Sequence, residues 1–324
     1  CVLVCPTGAL MEHSEIEKVD EARRQGKFVV CQVAPAVRAA IAEEFGEKIG
    51  TNGTNKMIAA LRRLGFNRIF DVNFAADLTI MEEGYELLER IKNGGVLPQI
   101  TSCSPGWVNY MEYYYPEVIP NMSTCKSPHQ MQGAITKTYF AKAHNLDPKD
   151  IFVVSVMPCT AKKYEKSRKE MEVDGIRDVD AVLTTRELAK MIKRAGINWK
   201  MLPEDEDWDQ DLLGQYSGAG VIFGVTGGVM EAALRTVAEQ IIGRELDAID
   251  FHEARGKSGI KEVFINAGGT TLKGCVLSGV GNAKEVLEKI QKEFDSVNKK
   301  LEELNEKIDK LEEEKFIVEF KVNV

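Results

Sequence analysis

Apolar positions fall into two rhythms that alternate along the first two thirds of the chain. Short, nearly continuous apolar runs at 27–33, 68–73, 96–100, 151–157 and 180–183 are rich in Val and Ile, which predicts buried strands. Between them, apolar residues three and four apart predict helices over 16–25, 34–45, 55–64, 76–92, 129–142 and 186–195. Local chemistry supports these boundaries. Pro35 sits in a first turn, where its missing N–H costs nothing, and Gly65 and Asn93-Gly94-Gly95 stop helices. Thr184-Thr185-Arg186-Glu187 starts one, with Thr capping free N–H groups and Glu187 in the first turn. A β-α-β-α-β order with short connections predicts a mostly parallel sheet covered on both faces.

The last third changes character. Segment 217–228 is dense in glycine and leads into a helix over 229–242. It matches neither G-x-G-x-x-G nor a P-loop, so it reads as a tight loop approaching whatever the site holds. Runs 260–265 and 272–277 flank Asn266-Ala267-Gly268-Gly269, a hairpin signal. Phe294, Val297, Leu301, Leu304, Ile308 and Leu311 follow at spacing 3-4-3-4-3, a heptad seam wrapped in Lys and Glu. That pattern predicts a helix with another helix as its partner. Residues 316–324 alternate, which predicts a terminal strand.

Composition narrows the class. A chain of 324 residues can form two domains or lobes, and 44% hydrophobic with 28% charged residues is ordinary for a soluble globular protein. A formal charge of -8 without a basic cluster argues against a nucleic-acid partner. No run reaches the roughly 18 apolar residues that a membrane span needs. No signal peptide is recognised, and the abrupt opening at Cys1 predicts missing upstream sequence. Seven cysteines, an odd number, do not read as a disulfide framework. They point to a reducing, cytoplasmic compartment, with some cysteines as metal ligands or reactive thiols.

Candidate chemistry concentrates in two loops. Thr101-Ser102-Cys103-Ser104-Pro105-Gly106-Trp107 follows the run at 96–100, and Met157-Pro158-Cys159 ends the run at 151–157. Two strand ends, each with a Pro/Cys loop, predict convergence on one thiol-lined site. At the amino end, Cys1 and Cys5 form a C-x3-C-P unit, the form of the last half of a bacterial ferredoxin cluster motif.

Taken together these segments resemble the catalytic domain of [FeFe]-hydrogenase. The resemblance is carried by Cys31-Gln32-Val33-Ala34-Pro35-Ala36-Val37-Arg38, residues 74–83, TSC-x-PGW at 101–107 and KSP at 126–128. It continues in MPC-x-x-K-x-x-E at 157–165 and in residues 223–235, and covers roughly residues 1–290. It implies an α/β fold of two lobes, each a mostly parallel β-sheet flanked by helices, with the active-site cleft between them. It also implies an H-cluster, a [4Fe-4S] cubane joined to a two-iron subsite, and reversible 2H⁺ + 2e⁻ to H₂. Ferredoxin or iron–sulfur subunits would be the redox partners. On this resemblance Cys159 matches a cluster ligand, Lys162 a cyanide-binding cation, and Pro35 and Met157 pocket walls. Cys103, Glu83, Glu86, Ser123 and Arg90 match the proton path. Glu83, Glu86 and Arg90 lie three and four apart, so they share one helix face.

Two departures qualify the match. Ser104 stands where the family carries a cubane cysteine, and a hydroxyl is a poor substitute for soft thiolate. The family's final E-x-M-x-C-x-x-G-C motif does not occur in residues 1–324. Cys159 is then the one ligand of four, so the H-cluster is expected to be absent or incomplete; His129, where Gln is usual, also alters the cluster wall. The expected organisation is a ferredoxin-like [4Fe-4S] remnant at 1–12 and a two-lobed domain at 13–290, with lobe changes near 145–160 and 217–230. A coiled-coil-like helix at 291–315 and a strand at 316–324 follow. Three functional readings stand: a hydrogenase module, a catalytically inactive or truncated relative acting in electron transfer, sensing or assembly, and a chain with an engineered segment 291–324.

Overall fold

The computed structural model describes residues 5–10, 13–210, 212–245, 252–253 and 259–322, with backbone only at 252–253, at 270 and from 310 onward. Cys1 lies outside the described residues. Helix α1 (Ile16–Arg24) leads to strand β1 (Phe28–Val33), and α2 (Pro35–Ala40) then tightens into a 3-10 turn at Ile41–Phe45. Helix α3 (Thr54–Arg63), strand β2 (Arg68–Asp71) and the long helix α4 (Asn73–Asn93) follow. After a coil come α5 (Pro105–Tyr114), α6 (Pro128–Ile135) with a π-helical turn at Thr136–Phe140, and the single turn α7 (Ala141–Ala143). Strand β3 (Ile151–Met157), α8 (Ala161–Glu165), the short hairpin β4 (Glu172–Val173) and β5 (Ile176–Arg177), β6 (Ala181–Thr184) and α9 (Thr185–Arg194) complete the first part.

Strands β2, β1, β3 and β6 form one parallel sheet in that order. Their near-continuous burial fits the apolar runs, because a parallel sheet is covered on both faces. Val33 pairs with Val156 and Met157 with Thr184, so β1, β3 and β6 end together at one carboxyl edge. The loops at 34–35 and 158–160 leave that edge side by side. Helix α9 begins with a capping box: Thr184 Oγ1 accepts from Glu187 N–H and Glu187 returns the bond to Thr184 N–H.

The remaining elements are α10 (Gly218–Ile222), α11 (Gly228–Ile242), β7 (His252–Glu253), β8 (Ile260–Ala267), β9 (Thr270–Leu277) and α12 (Val280–Val322). Here the expectation of a second parallel lobe is corrected. Strands β7, β8 and β9 form an antiparallel sheet, because the two-residue link Gly268-Gly269 permits only a hairpin. The fold is therefore α/β with separate parallel and antiparallel sheets flanked by helices. Helices α4 and α11 bury Leu88, Leu234 and Val237 against Val263 and Ile265 of β8.

Three local expectations also change. Residues 96–100 form no strand; Ile100 makes a single bridge to Met122, and Pro98 lacks the N–H that a ladder requires. The glycine-dense loop contains the short helix α10, where Gly220 lies so close to Asn73 that a Cβ would meet its carbonyl oxygen at 2.6 Å. Segment 316–324 is helical through Val322, as the tail of α12, rather than a strand. Helix propagation adds one bond for each residue fixed, so a helix under way extends at little cost.

Candidate functional site

Helix α4 presents Glu83, Glu86 and Arg90 toward the coil that links α4 to α6. Ile100 sets that coil: its N–H donates to Asn121 O at 2.8 Å, and its carbonyl accepts from Ser123 N–H at 2.7 Å. Thr101–Cys103 and Ser123–Cys125 consequently run beside each other, joined again by Ser102 Oγ donating to Cys125 O at 2.9 Å. The Ser123 hydroxyl donates to Glu86 Oε2 at 2.6 Å, and Thr124 N–H donates to both Glu86 oxygens. Arg90 Nη2 donates to Glu86 Oε1 at 2.7 Å. Although burial works against the charge of Glu86, the donors Ser123, Thr124 and Arg90 hold its carboxyl below the usual range.

Glu83 is the opposite case. It is 2% exposed, and neither carboxylate oxygen has a hydrogen-bond partner. Burial first, and then the charge of Glu86, push its pKa up to about 7; nearby Ser123 and Ser102 only partly offset this. One turn of helix thus carries two carboxyls in unlike environments, one held ionised and one poised near neutrality. The half-buried Cys103 thiol is pushed up to about 11 by burial and then by the charge of Glu83, with Lys162 pulling the other way.

Across the loop, Lys162 of α8 donates to Cys103 O at 2.7 Å and to Glu165 Oε2 at 2.8 Å. Helix α8 lies against α5 through Tyr164–Asn109, and Arg168, just beyond the end of α8, pairs with Glu112. Cys103 and Lys162 therefore meet, but through a backbone carbonyl. The convergence of two strand ends is corrected: β3 delivers residues 157–160, whereas the Cys103 loop arrives from coil. Met157 is buried at the end of β3, while Pro35, Ser104 and Cys159 are exposed. His129 is fully enclosed on α6, with Nε2 2.8 Å from Glu165 Oε2. Glu165, to which the sequence alone assigns no role, lies between His129 and Lys162. Its position three residues after Lys162 is the available signal; its pairing with His129 joins distant parts of the chain.

At the amino end Cys5 is half-buried, with Thr7 Oγ1 3.5 Å from its sulfur. That contact, followed by the backbone N–H of Leu10, lowers the Cys5 pKa to about 7, as suits a reactive or ligating thiol.

An H-cluster calls for four soft thiolates. This donor set does not fit one: Cys159 supplies a thiol, Ser104 presents a hydroxyl, and Cys103 is held protonated beside Glu83. Among the described residues, no three His, Cys, Asp or Glu side chains converge as a metal ion requires.

Residues 27–304 match the family described as "Iron only hydrogenase large subunit, C-terminal domain". The chain is 52% identical over 295 residues to the NADP-reducing hydrogenase subunit HndD of Solidesulfovibrio fructosivorans, covering 89% of this chain and 50% of that one. It is 48% identical over 281 residues to the periplasmic [Fe] hydrogenase large subunit of Nitratidesulfovibrio vulgaris, covering 86% of this chain and 66% of the relative. The chain thus spans only part of these relatives. The solved structure of [FeFe]-hydrogenase HydA1 from Chlamydomonas reinhardtii, variant E141A, superposes with a TM-score of 0.76 at 41% identity, covering 86% of this chain and 79% of that one. The cytoplasmic location expected from cysteine usage is corrected by the periplasmic relative, since the same fold serves in that compartment. Among the described residues, no helix is long and apolar enough to cross a membrane. With the motif loops at one sheet edge and a match over most of its length, this chain belongs to the family of C-terminal domains of the iron-only hydrogenase large subunit.

Proposed function

We propose that this chain is an iron–sulfur oxidoreductase module of the hydrogenase type that keeps the proton-handling side chains but does not assemble a complete H-cluster. Its role is then in electron transfer, sensing or complex assembly. The observation that carries this reading is Ser104, an exposed hydroxyl next to Cys103 where a cubane ligand is needed. The site lies between the carboxyl edge of the parallel sheet and the α4–α5 region, in the cleft of the two-lobed arrangement. Iron–sulfur subunits or ferredoxin are its redox partners, and the 294–311 seam takes a helix.

The proton chemistry follows from the two carboxyls. Near pH 7 Glu83 is divided between its acid and its base, the condition in which a group both takes and gives a proton readily. Cys103 holds a proton at its sulfur on one side. On the other, the Ser123 hydroxyl both accepts and donates, passing the proton toward Glu86, and Arg90 stabilises Glu86 as the anion.

Iron and acid-labile sulfide per chain after anaerobic reconstitution, together with infrared spectra after co-production with the maturation machinery, test the reading. The expected result is no CO or cyanide band and substoichiometric cubane. Strong bands would overturn it in favour of a second reading, reversible 2H⁺ + 2e⁻ to H₂. The observation favouring that alternative is the hydrogen-bonded series Ser123–Glu86–Arg90 beside the buried Glu83.

A further inference from the structure

A second buried polar series, which the proton path does not use, runs from the parallel sheet to the Cys103 loop. Gln32 Nε2 on β1 donates to Ser155 Oγ on β3 at 2.6 Å and to the backbone oxygen of His129 at 2.6 Å. Ser155 Oγ lies 3.1 Å from His129 Nδ1. His129 Nε2 lies 2.8 Å from Glu165 Oε2, the oxygen that also accepts from Lys162. Gln32 and Ser155 are fully buried, and His129 and Glu165 nearly so. The proton positions follow from the partners. Glu165 is held ionised by His129 and Lys162 against the opposing effect of burial, and an ionised carboxylate only accepts. Burial lowers the His129 pKa below the ordinary imidazole value, so the ring is neutral near pH 7, with its proton on Nε2 facing Glu165 and Nδ1 accepting from the Ser155 hydroxyl. Gln130 Nε2 lies 3.4 Å from the same Nε2 while Gln130 Oε1 has no partner, so the opposite amide orientation suits this tautomer better.

We propose that His129 is a positioning residue: by sharing Glu165 Oε2 with Lys162 it fixes the ammonium on the Cys103 carbonyl, and so holds the 101–104 loop against the sheet. Lys162 and Glu165 are three apart on one short helix. Their pairing alone would travel with α8 and fix nothing relative to the sheet. A lysine stem has many rotamers to lose, so its ammonium is held only if its partners are themselves fixed. His129 supplies the fixed point because Ser155 and Gln32, on two central strands, grip its ring and its backbone. This role does not depend on the state of the cluster.

Competitive acetylation of amines at pH 8, followed by peptide mass spectrometry, reads the position of Lys162 directly, with exposed Lys289 as internal reference. His129→Leu is expected to raise Lys162 labelling about tenfold, the scale of one lost hydrogen bond to a charged group. His129→Gln, which keeps an N–H for Glu165, is expected to stay within about twofold of the parent chain. Such rescue by a residue of unlike shape is not what loss of packing alone would produce. If circular dichroism shows that His129→Leu does not fold, Ser155→Ala, which removes the Nδ1 partner together with one of the two acceptors of Gln32 Nε2, decides with an expected rise of about threefold. Unchanged Lys162 labelling in a folded His129→Leu or Ser155→Ala chain would overturn the proposal. So would labelling in His129→Gln equal to that in His129→Leu.

Discussion

Arg90 Nη2 bonds Glu86 Oε1 at 2.7 Å and at the same time the carbonyl of Met122 at 2.7 Å, while its Nη1 takes the carbonyls of Val96, Pro120 and Asn121. The guanidinium is thus both the counterion of Glu86 and the staple of the coil that carries Ser123. Arg90→Ala is expected to destabilise the chain by about 3 kcal/mol, since it leaves a half-buried carboxylate and several carbonyls unpaired. Arg90→Lys should recover only part of this, because an ammonium lacks the planar fork. Urea unfolding of the three chains checks the order; a Lys variant as stable as the parent counts against the stapling role.

Glu83 binds a proton more tightly when folded than when unfolded, since its pKa rises from 4.5 to about 7. Between those values the native state carries a proton that the unfolded state has lost, so stability falls as pH rises through this window. Above about pH 7 the full penalty is present, on the order of 3 kcal/mol. Glu83→Gln removes the titration. The variant should therefore gain on the parent steadily from pH 4.5 to 7, and keep that gain up to pH 8. Unfolding free energies measured across the range check the slope, and parallel curves would show that Glu83 has found a partner in solution.

Much of this is legible in the chain. The strands at 151–157 and 181–184 follow from β-branched runs, and the start of α9 from Thr184 and Glu187, because those signals are local. The shared face of Glu83, Glu86 and Arg90 follows from helical spacing alone. The coil at 96–100 misleads because Val96, Leu97 and Ile100 look like strand residues, while Pro98 decides the matter by having no N–H to give. The His129–Glu165 contact has no local trace: it depends on α6 and α8 meeting beside the sheet, a tertiary fact. The alternation over 316–324 suits a strand only if another strand lies beside it, and here residues 316–322 continue a helix.

The seam of α12 stands away from the core. Val297, Leu301, Leu304 and Ile308 are each about half exposed, whereas Ala283 and Leu287, about three to four turns before Val297, are buried with Met111 and Val118. Leu304→Asp should accordingly leave thermal unfolding of the α/β part unchanged within about 0.5 kcal/mol, as for an exposed site. It should weaken any helix pairing, because a charge in a heptad seam loses its hydration. Sedimentation velocity with and without the substitution reads the second effect. A large loss of domain stability would mean that the seam packs on its own chain.

Cys5 and Cys103 lie far apart in thiol acidity, about 7 against about 11, and thiolate is the form that alkylates. At pH 8 most of Cys5 is thiolate, whereas about one Cys103 in a thousand is. Iodoacetamide should therefore modify Cys5 about ten to twenty times faster, because the roughly thousandfold difference in thiolate is offset about 40- to 100-fold by the higher intrinsic nucleophilicity of the more basic thiolate. Two substitutions separate the causes. Glu83→Gln removes the carboxylate charge that disfavours a second anion, so Cys103 should react faster; Lys162→Met removes the cation that favours it, so Cys103 should react more slowly. Peptide mass spectrometry on timed aliquots gives all the rates from one experiment. If burial alone governed the thiol, both variants would match the parent, and Glu83 and Lys162 would have no electrostatic hold on Cys103. Opposite shifts in the two variants would mean that the Cys103 proton is set by the two groups flanking it, the requirement for passing a proton to Glu83.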